Sequence, residues 1–251
     1  MSKKTLGLIG YPVSHSWSAN YFNEKFRKEN LTGFHYKLFP LEDISELPQL
    51  IQSEPTMVGL NVTIPHKENV LVYLYELDEA AKEIGAVNTI KIKRNGKIHT
   101  KGFNTDVIGF EKTLVKYGVN LPVKTLVLGT GGASKAVEWV LRKHHCEILF
   151  VSRFKKRKND LNYQELSDVL LSEYPLIINT TPLGMYPDVS QLPPMPYHTL
   201  SRKNILFDLI YNPEITLFLR QGIKAGCKTI NGMYMLEQQA EAAWKIWNKN
   251  Q

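Results

Sequence analysis

Lys67 is the first residue whose type and position in the chain suggest chemistry. It closes the segment NVTIPHK at 61–67, in which polar Asn61 and Thr63 alternate with apolar residues as in a half-buried strand. Pro65 lacks an amide donor, so strand pairing is expected to stop there. A lysine at the end of a strand can stabilise negative charge on a substrate oxygen and then protonate it. A solvated lysine after a strand is the alternative.

A glycine-rich segment, VLGTGGASKA at 127–136, has the spacing of a nucleotide-binding turn. It lies between a predicted buried strand and a predicted helix, the context that a dinucleotide fingerprint requires. Gly129 permits a tight turn, Gly131 lets backbone approach a pyrophosphate, and the amides of the helix N-terminus favour its negative charge. Ser134 stands where Gly or Ala usually allows close packing, so the match is imperfect. A glycine turn without a ligand is the alternative.

The next predicted strand ends in FVSRFKKRK, with no acidic residue to hold the ribose 2′-hydroxyl of NAD. Ser152 can donate a hydrogen bond to a 2′-phosphate. Arg153 can hold that phosphate through charge-assisted bonds, together with one of the following cations: Lys155, Lys156 or Arg157. NADP is therefore favoured over NAD, and a solvated basic loop is the alternative.

The composition indicates a folded globular protein that binds anionic small molecules. Hydrophobic residues make up 43% and charged residues 22% of the chain, so disorder is not expected. The net charge of +7 favours anionic partners, but no basic run is interleaved with aromatic residues as in a nucleic-acid platform. Phosphate or carboxylate ligands are therefore expected, and a nucleic-acid partner is not.

The cysteines and the N-terminus point to a cytoplasmic protein. Cys146 and Cys227 lie far apart without a CxxC motif, so neither a zinc site nor a disulfide is predicted. The N-terminal apolar run is far too short for a signal peptide, and no segment approaches a membrane span. We therefore expect a cytoplasmic location, no membrane partner and no metal.

The first part of the chain predicts a mainly parallel sheet that is covered by helices. Strands are expected at 4–10, 34–41 and 57–64. Helices are expected after the loop YPVSHS, where Phe22 and Phe26 form the apolar side, and in the segments 41–54 and 66–85. This β–α–β–α–β–α order favours parallel pairing.

A hairpin and a helix follow this region. The alternating runs 86–93 and 97–104 flank Asn95-Gly96, a strong turn signal. The segment 106–118 then predicts a helix whose apolar face carries Val107, Phe110, Leu114 and Val115.

A second βαβ region is predicted from about Leu121 onward. Its strands include EILFV and the segments 176–180 and 204–210, and the chain ends in a helix. The sequence contains no internal repeat.

Seven ordered blocks carry a resemblance to a known family over nearly the entire chain. They are GYPVSHSWS at 10–18, NVTIPHK at 61–67, GAVNT at 85–89, GFNTD at 102–106, GTGGASKA at 129–136, NTTPLGM at 179–185 and NGMYMLEQQ at 231–239. In these blocks the sequence resembles the shikimate dehydrogenases. The resemblance implies NADPH-dependent, reversible reduction of 3-dehydroshikimate to shikimate, a step of aromatic amino acid biosynthesis. It also implies two α/β domains that face each other across a cleft.

The predicted fold is accordingly a two-domain α/β architecture. The substrate-binding domain, with its mainly parallel sheet, is expected at 1–103 and is completed by the C-terminal helix at 232–251. A Rossmann-type NADP-binding domain is expected at 104–231. Either a monomer or a homodimer is compatible with the sequence.

The resemblance implies roles for matching residues on the substrate side. Ser14 and Ser16 correspond to the pair that holds the substrate carboxylate. Lys67 and Asp106 correspond to the catalytic pair. The groups that read the ring hydroxyls and the carbonyl are Asn61, Thr63, Asn88, Asp106 and Gln239.

Two of these assignments depend on local detail. The family spacing MLxxQ selects Gln239 and not Gln238. Asp106 also stands where a helix N-cap is expected, a role that Thr105 could take instead.

The resemblance also implies the contacts to the cofactor. Tyr211 is expected near the nicotinamide and the substrate, although core packing is an equal alternative for Tyr211 and Met185. The cofactor-binding residues that the sequence predicts are Gly129, Gly131, Gly132, Ala133, Ser152, Arg153, Lys156, Thr180, Met185 and Gly232.

The chain departs from the family in its first block, where Ala19 replaces a common proline and Phe22 a histidine. His15 and His66 are read as turn or packing histidines. The alternatives in function are a quinate/shikimate dehydrogenase that uses NAD, a non-catalytic protein that senses shikimate or nucleotide, and a nucleic-acid-binding protein.

Overall fold

A computed structural model describes residues 3–14, 16–155 and 157–248 of the chain. It divides into two compact units: the first comprises Met1–Thr105 and Ala240–Gln251, and the second comprises Asp106–Gln239. The α/β class predicted from the sequence is confirmed, since both units are built on a sheet flanked by helices.

A mixed six-stranded sheet forms the centre of the first unit. Its strands are β1 (Lys4–Gly10), β2 (Phe34–Pro40), β3 (Met57–Val62), β4 (Glu76–Leu77), β5 (Thr89–Asn95) and β6 (Lys97–Phe103). They lie in the order β2-β1-β3-β5-β6-β4. Strand β1 pairs in parallel with β2 and β3, whereas the predicted hairpin β5–β6 is antiparallel and adds to β3 in the antiparallel sense.

Helices cover the two faces of this sheet. They are α1 (Trp17–Lys28), α2 (Leu47–Ser53), α3 (Glu79–Ile84) and the end of a C-terminal helix that spans Met233–Asn248. On one face, Phe22 stacks on Tyr36 with the ring centroids 4.7 Å apart and also packs on Trp247. The replacement of a polar family residue by Phe22 therefore extends the aromatic core, because this side chain is completely buried.

Two predictions for the first unit are wrong in detail. Strand β3 ends at Val62 instead of residue 64, and Ile64 is 73% exposed. The segment 66–85 is not one helix but a 3₁₀ turn at Asn69–Tyr73, the short strand β4 and the six-residue helix α3, which Asp78 caps by accepting a hydrogen bond from the Ala81 amide at 2.9 Å. The Asp78 side chain thus favours the start of a new helix at Glu79 over a continuous helix through the whole segment.

The second unit contains a five-stranded parallel sheet. Its strands are β7 (Thr125–Leu128), β8 (Ile148–Val151), β9 (Leu176–Asn179), β10 (Ile205–Asp208) and β11 (Lys228–Ile230), in the order β11-β10-β9-β7-β8. The chain leaves β7 toward β8 on one side and returns to β9 on the other. The carboxyl ends of β7 and β9 therefore flank the point where strand order reverses, which is the usual ligand crevice of open parallel sheets.

The helices of the second unit are α4 (Asp106–Lys116), α5 (Gly132–Lys143), α6 (Asp168–Glu173), α7 (Leu217–Lys224) and the beginning of α8 (Met233–Asn248). Phe110 of α4 stacks on Phe207 of the sheet at a centroid distance of 5.4 Å. The predicted apolar face of α4 is wrong at Val115, which is 75% exposed, while Thr113 is buried in its place. Thr113 can be buried because its hydroxyl donates to the Gly109 carbonyl at 2.7 Å.

Within the described part of the chain, no helix has the length and apolar character needed to cross a membrane. The same residues contain no group of three or more His, Cys, Asp or Glu side chains that could hold a metal ion.

Candidate active site

Asn61 is held in the first unit by hydrogen bonds to three neighbours. It lies near the end of β3 and is only 6% exposed. Its Oδ1 accepts a hydrogen bond from the Tyr36 hydroxyl at 2.8 Å, while Nδ2 donates to the Asn88 carbonyl and to Thr89 Oγ1, both at 3.2 Å. Burial raises the pKa of Tyr36 well above its ordinary value, so this phenol remains a neutral donor. Both amide hydrogens of Asn61 are thus engaged within the protein.

Asn88 is oriented by the same group of side chains. Its Oδ1 accepts hydrogen bonds from the Thr105 amide at 2.7 Å, from Thr105 Oγ1 at 3.0 Å and from Thr89 Oγ1 at 3.1 Å. Because the oxygen is fixed by three donors, the NH₂ group must point the other way, and it has no hydrogen-bond partner among the residues that the structure describes. Asn88 therefore presents an oriented pair of donors. We call Tyr36, Asn61, Asn88, Thr89 and Thr105 the amide network.

Lys67 is positioned by a turn that is tied to the same region. The Lys67 carbonyl accepts a hydrogen bond from the Val87 amide at 2.8 Å, which joins the NVTIPHK and GAVNT blocks. The preceding amide, that of His66, donates to the Thr63 carbonyl at 2.9 Å, and the Thr63 amide in turn donates to the Ile9 carbonyl at 3.0 Å. The Lys67 side chain is half-buried.

His66 is a packing histidine, as predicted. It is 2% exposed, and its Nε2 lies 2.6 Å from the Leu41 carbonyl, which identifies Nε2 as the protonated nitrogen. Nδ1 is buried with no hydrogen-bond partner among the described residues. The ring therefore fixes the turn ahead of Lys67 and is not placed to exchange protons with a ligand.

Ser14 and Ser16 lie at the N-terminal end of α1. Ser14 is exposed, and Ser16 is the half-buried N-cap residue, whose side chain makes no capping hydrogen bond. The first turn of the helix carries no acidic residue. Since helix N-termini favour negative charge, these two hydroxyls stand where an anion is favoured. His15 lies outside the described residues.

Asp106 and Gln239 belong to the second unit. Asp106 is the first residue of α4, and Gln239 on α8 is 9% exposed and donates through Nε2 to the Leu236 carbonyl at 2.9 Å. Gln238 instead accepts a hydrogen bond from Lys112 at 2.9 Å. Gly109 lets α4 and α8 approach closely, because a Cβ there would collide with the Met235 carbonyl and lie 3.2 Å from the Gln239 amide nitrogen. No signal in the sequence singles out Gly109.

A cavity of about 630 Å³ lies at the carboxyl ends of the parallel strands in the second unit. Residues 129–131 after β7, 152–154 after β8 and 180–183 after β9 form its wall, together with Tyr163 and residues 191, 192 and 194. The glycine turn, the basic segment and the NTTPLGM block, which the sequence singled out separately, therefore surround one space. We call this space the nucleotide cavity.

Gly129 and Gly131 are glycines for different reasons. Gly129 has φ +104°, and an added Cβ would lie 2.8 Å from Thr180 Oγ1, so the fold itself requires glycine. Gly131 and Gly132 have nothing within 4 Å of an added Cβ. Gly131, the N-cap of α5, has φ −84° and ψ −171°, a conformation open to any residue. The fold leaves open space above the first amides of α5.

Ser134 explains why the imperfect fingerprint is compatible with the turn. It is 1% exposed, and its hydroxyl donates to the Gly131 carbonyl at 2.7 Å. A small side chain with a satisfied hydroxyl fits the position that Gly or Ala usually occupies.

The basic segment after β8 divides into paired and unpaired cations. Lys155 pairs with Glu165 at 2.7 Å, and Arg157 pairs with Glu138 at 2.6 Å. Exposed Arg153 lines the nucleotide cavity and forms no ion pair with any residue that the structure describes. Lys156 lies outside the described residues. Of the proposed cations that the structure describes, Arg153 is thus the one that lines the cavity.

Ser152 is buried, and its hydroxyl donates to the Phe154 carbonyl at 2.5 Å. This bond uses the hydroxyl hydrogen within the loop and leaves the oxygen as an acceptor. Thr180 donates from both its amide and its hydroxyl to the Leu128 carbonyl, at 2.9 and 2.8 Å, which links the ends of β7 and β9.

The remaining predicted cofactor residues differ in their surroundings. Ala133 is exposed at the start of α5, and Met185 is 45% exposed, so neither is a core residue. Tyr211 is half-buried, and burial raises the pKa of its hydroxyl. Gly232 packs so closely on Leu209 that a Cβ would collide with the Leu209 carbonyl.

Comparison with known proteins identifies the family. A model of the shikimate dehydrogenase substrate-binding domain matches residues 8–90. A Methanococcus maripaludis strain C7 protein named shikimate dehydrogenase (NADP(+)) is 41% identical, over 97% of this chain and 91% of the relative.

Solved structures agree with this relationship. A crystal structure of a shikimate dehydrogenase in complex with NADP+ has a TM-score of 0.88 and 35% identity, over 98% of this chain and 90% of that chain. The Thermus thermophilus shikimate 5-dehydrogenase in complex with NADP(H) and shikimate has a TM-score of 0.85 and 29% identity, over 98% of this chain and 93% of that chain. With such similarity along nearly its full length, the chain belongs to the shikimate dehydrogenase family.

Proposed function

We propose that this protein is an NADP-dependent shikimate dehydrogenase, which reversibly reduces 3-dehydroshikimate to shikimate in aromatic amino acid biosynthesis. The observation that carries the proposal is the position of Lys67, which the Lys67–Val87 hydrogen bond ties to the block that presents the oriented Asn88 amide. A general acid beside directional hydrogen-bond donors suits the reduction of a carbonyl on a polyhydroxylated ring. Relatives in the family carry the same activity in their names.

The substrate side is assigned to the residues of the family blocks. Ser14 and Ser16 bind the carboxylate of the substrate, supported by the exposure of Ser14, the lack of a capping hydrogen bond from the Ser16 side chain and the helix N-terminus. Asn88 donates through its NH₂ group to ring oxygens. The remaining assigned contacts to the ring come from Thr63, Asn61, Asp106, Gln239 and Tyr211.

The structure refines the part that Asn61 plays in this proposal. Because both of its amide hydrogens are engaged by Asn88 and Thr89, only Oδ1 has capacity left, as an acceptor of a substrate hydroxyl. Its larger contribution is to hold the Asn88 segment in place.

Lys67 and Asp106 carry the proton chemistry of the proposal. During reduction, negative charge develops on the carbonyl oxygen of the substrate, and the Lys67 ammonium stabilises this charge and donates the proton. In the reverse direction Lys67 accepts the proton of the hydroxyl. Asp106 accepts a hydrogen bond from a substrate hydroxyl.

The nucleotide cavity fits a dinucleotide phosphate. Open space above Gly131 and Gly132 at the start of a twelve-residue helix can receive a pyrophosphate. Arg153 is a cation for a 2′-phosphate, with Lys156 as a second assigned contact, and Ser152 can orient the loop. Residues assigned to the rest of the cofactor are Gly129, Ala133, Thr180, Met185 and Gly232. NADPH, when bound, supplies the hydride that reaches the carbonyl carbon.

A steady-state assay tests the proposal. The purified protein is given shikimate or quinate, each with NADP or NAD, and the formation of reduced cofactor is followed by its absorbance. We expect fast turnover with shikimate and NADP and much slower turnover with the other three pairs. Preferred turnover of quinate with NAD would replace the proposal by the quinate-type activity. No turnover with any pair would leave a binding protein that lacks the reaction.

We also propose a cytoplasmic monomer or homodimer. Light scattering of the purified protein distinguishes the two assemblies, and cell fractionation tests the location.

A further inference from the structure

Asp208 is a buried carboxylate that the proposed reaction does not use. It ends β10, where it pairs in register with Asn179 at the end of β9, and it is completely buried. No cation lies within ion-pair distance of it among the described residues. Its oxygens instead accept three hydrogen bonds: Oδ1 from Asn179 Nδ2 at 3.0 Å and from the Ile210 amide at 3.1 Å, and Oδ2 from Thr216 Oγ1 at 2.6 Å.

The first of these bonds leads to the wall of the nucleotide cavity. Because Nδ2 of Asn179 faces the carboxylate, Oδ1 of Asn179 faces the other way. This oxygen accepts hydrogen bonds from the Thr181 amide at 3.0 Å and from the Thr181 hydroxyl at 2.6 Å. Thr181 Oγ1 then accepts from the Leu183 amide at 3.3 Å. Thr181 and Leu183 both line the cavity, so a fixed chain of hydrogen bonds joins Asp208 to that wall.

The other two bonds hold neighbouring segments. The Ile210 amide belongs to the residue before Tyr211. Thr216 is the N-cap of α7, where its hydroxyl oxygen accepts from the Leu219 amide at 3.3 Å. One carboxylate thus organises three segments that follow strands at the same edge of the sheet.

We propose that Asp208 is a positioning residue for the cofactor: its ionised carboxylate orients Asn179, which fixes the Thr181–Leu183 wall for NADP binding. This inference rests on the proposed function, because it assigns NADP to the cavity. All three contacts are donors to Asp208, so the charged form satisfies every one of them. A protonated Oδ2 would compete with Thr216 for the same hydrogen bond.

Burial raises the pKa of Asp208 to about 6, against the hydrogen bonds from Thr216, Ile210 and Asn179, which lower it. Among the described residues, Tyr197 is the titratable group whose pKa Asp208 affects; burial chiefly raises the pKa of Tyr197, with further contributions from Tyr163 and Asp208, so Tyr197 stays neutral. Asp208 therefore changes charge near pH 6, where NADP affinity is expected to fall as the pH is lowered.

Stability is expected to change in the opposite direction. The folded-state pKa lies above the ordinary value of 3.8, so the folded protein binds this proton more tightly than the unfolded chain. The contribution of Asp208 to stability is largest below about pH 3.8 and is lost as the pH rises through about 6. If Asp208 had a purely structural role, NADP affinity would change with pH in the same direction as stability. With a positioning role, the two change in opposite directions.

The test compares wild type with Asp208→Asn by calorimetric titration of NADP at about pH 5.5 and about pH 7.5, on either side of the transition. We expect Asp208→Asn to bind NADP about tenfold more weakly at the higher pH, the size of effect expected for a disturbed buried hydrogen bond. Titration of the 2′-phosphate of NADP itself remains in both proteins, so only the difference between them reports Asp208. That difference should shrink at the lower pH.

A matched control is Asn204→Ala, another buried polar residue of the second unit, whose Oδ1 accepts hydrogen bonds from the amide and hydroxyl of Ser201 at 2.9 and 3.2 Å. It should lower stability and leave NADP affinity unchanged. Equal NADP affinity and equal pH dependence in wild type and Asp208→Asn would overturn the inference, as would an Asn204→Ala variant that weakens NADP as much as Asp208→Asn does.

Two further measurements keep the test decisive. If Asp208→Asn fails to fold, Thr216→Val serves instead, because it removes the donor to Oδ2 and should move the pH transition of NADP affinity upward. Thr216→Ser keeps the hydroxyl and should leave the transition in place. An unchanged transition in Thr216→Val would contradict the inference. If wild type does not bind NADP, the proposed function fails. Amide exchange at Thr181 and Leu183, which needs no ligand, then tests the positioning role: faster exchange in Asp208→Asn is expected, and exchange as in wild type would overturn the inference.

Discussion

In the first unit the candidate binding groups are side chains that hold one another, whereas in the second unit the glycine turn borders the nucleotide cavity with open space above Gly131 and Gly132. Asn61 and Asn88 are each fixed by hydrogen bonds within the amide network. At Gly131 no side chain approaches, and the first amides of α5 border open space. Recognition of a small polyhydroxylated acid needs directional side chains, while a pyrophosphate needs close access to amides.

This difference has a consequence for mutagenesis. At Asn61 and Asn88 of the amide network, stability and shikimate binding should change together, because these two side chains hold the network and are also assigned to the substrate. At the glycine turn, stability and NADP binding should be separable. Gly129 determines the shape of the turn, whereas Gly131 leaves the open space above α5.

Lys67→Ala should have the largest effect on turnover. Loss of a positioned proton donor typically costs about 10²- to 10⁴-fold in kcat. The substitution keeps the Lys67 carbonyl, which accepts the hydrogen bond from the Val87 amide, so the affinity for shikimate and the thermal stability should change little. Steady-state kinetics and calorimetric titration measure these quantities, and Lys37→Ala, at an exposed lysine paired with Glu54, serves as the control. A Lys67→Ala enzyme with wild-type kcat would remove Lys67 from the proposed chemistry.

Gly129→Ala and Gly131→Ala should differ sharply in stability. The first places a Cβ at φ +104° and 2.8 Å from Thr180 Oγ1, so unfolding in urea should become easier by about 2 to 4 kcal/mol. The second should change the free energy of unfolding by less than about 0.5 kcal/mol, yet weaken NADP binding by filling the space above α5. Equal destabilisation by both substitutions would contradict the separation of shape from access at this turn.

Asn88→Ala should destabilise the first unit by about 1 to 2 kcal/mol, because the buried donors of Thr105 and Thr89 lose their acceptor. Shikimate affinity should fall in the same variant. Thr105→Val provides the matched partner for a double-mutant cycle, and the two changes should be less than additive by about 0.5 kcal/mol or more. Additive effects in urea denaturation would mean that the network does not act as a unit.

Arg153→Ala should produce the smallest of these effects. NADP affinity is expected to fall by about tenfold, corresponding to one lost charge-assisted contact, while NAD affinity remains nearly constant. The comparison variant is Arg157→Ala, since Arg157 already pairs with Glu138. A larger loss of NADP affinity for Arg157→Ala than for Arg153→Ala would reverse the assignment of the phosphate contact.

The parts of the fold that local signals determine were predictable from the sequence. The hairpin followed from Asn95-Gly96, the strands β1 and β7 followed from short apolar runs, and β2 followed from the alternation of its residues. The glycine turn was predictable because its residue types reflect a backbone requirement at Gly129.

The amide network was only half predictable. The family resemblance assigns roles to Asn61 and Asn88 but none to Tyr36, or to Thr89 at the end of the GAVNT block, and Thr105 is indicated only as a helix cap. Each of these three contacts the network through pairing of strands or loops distant in sequence, for instance Tyr36 to Asn61 across 25 residues. Local periodicity carries no information about such contacts.

Tertiary packing also overrides some local patterns. Val115 fits the apolar period of α4, yet it is exposed while Thr113 is buried. The segment 66–85 is rich in helix-forming residues but is interrupted by β4, which pairs with β6. In both places neighbours supplied by the fold decide the outcome, which propensity cannot anticipate.

Ligand-dependent hydrogen exchange tests most directly which segments bind shikimate and which bind NADP. The wild-type protein is exchanged alone, with shikimate, and with NADP, and peptides are analysed separately. We predict that shikimate protects the segments around 61–67 and 85–89, whereas NADP protects those around 129–134 and 180–185. Protection of the first-unit segments by NADP alone, or of the glycine turn by shikimate alone, would contradict the assignment of the substrate to those segments and of the cofactor to the nucleotide cavity.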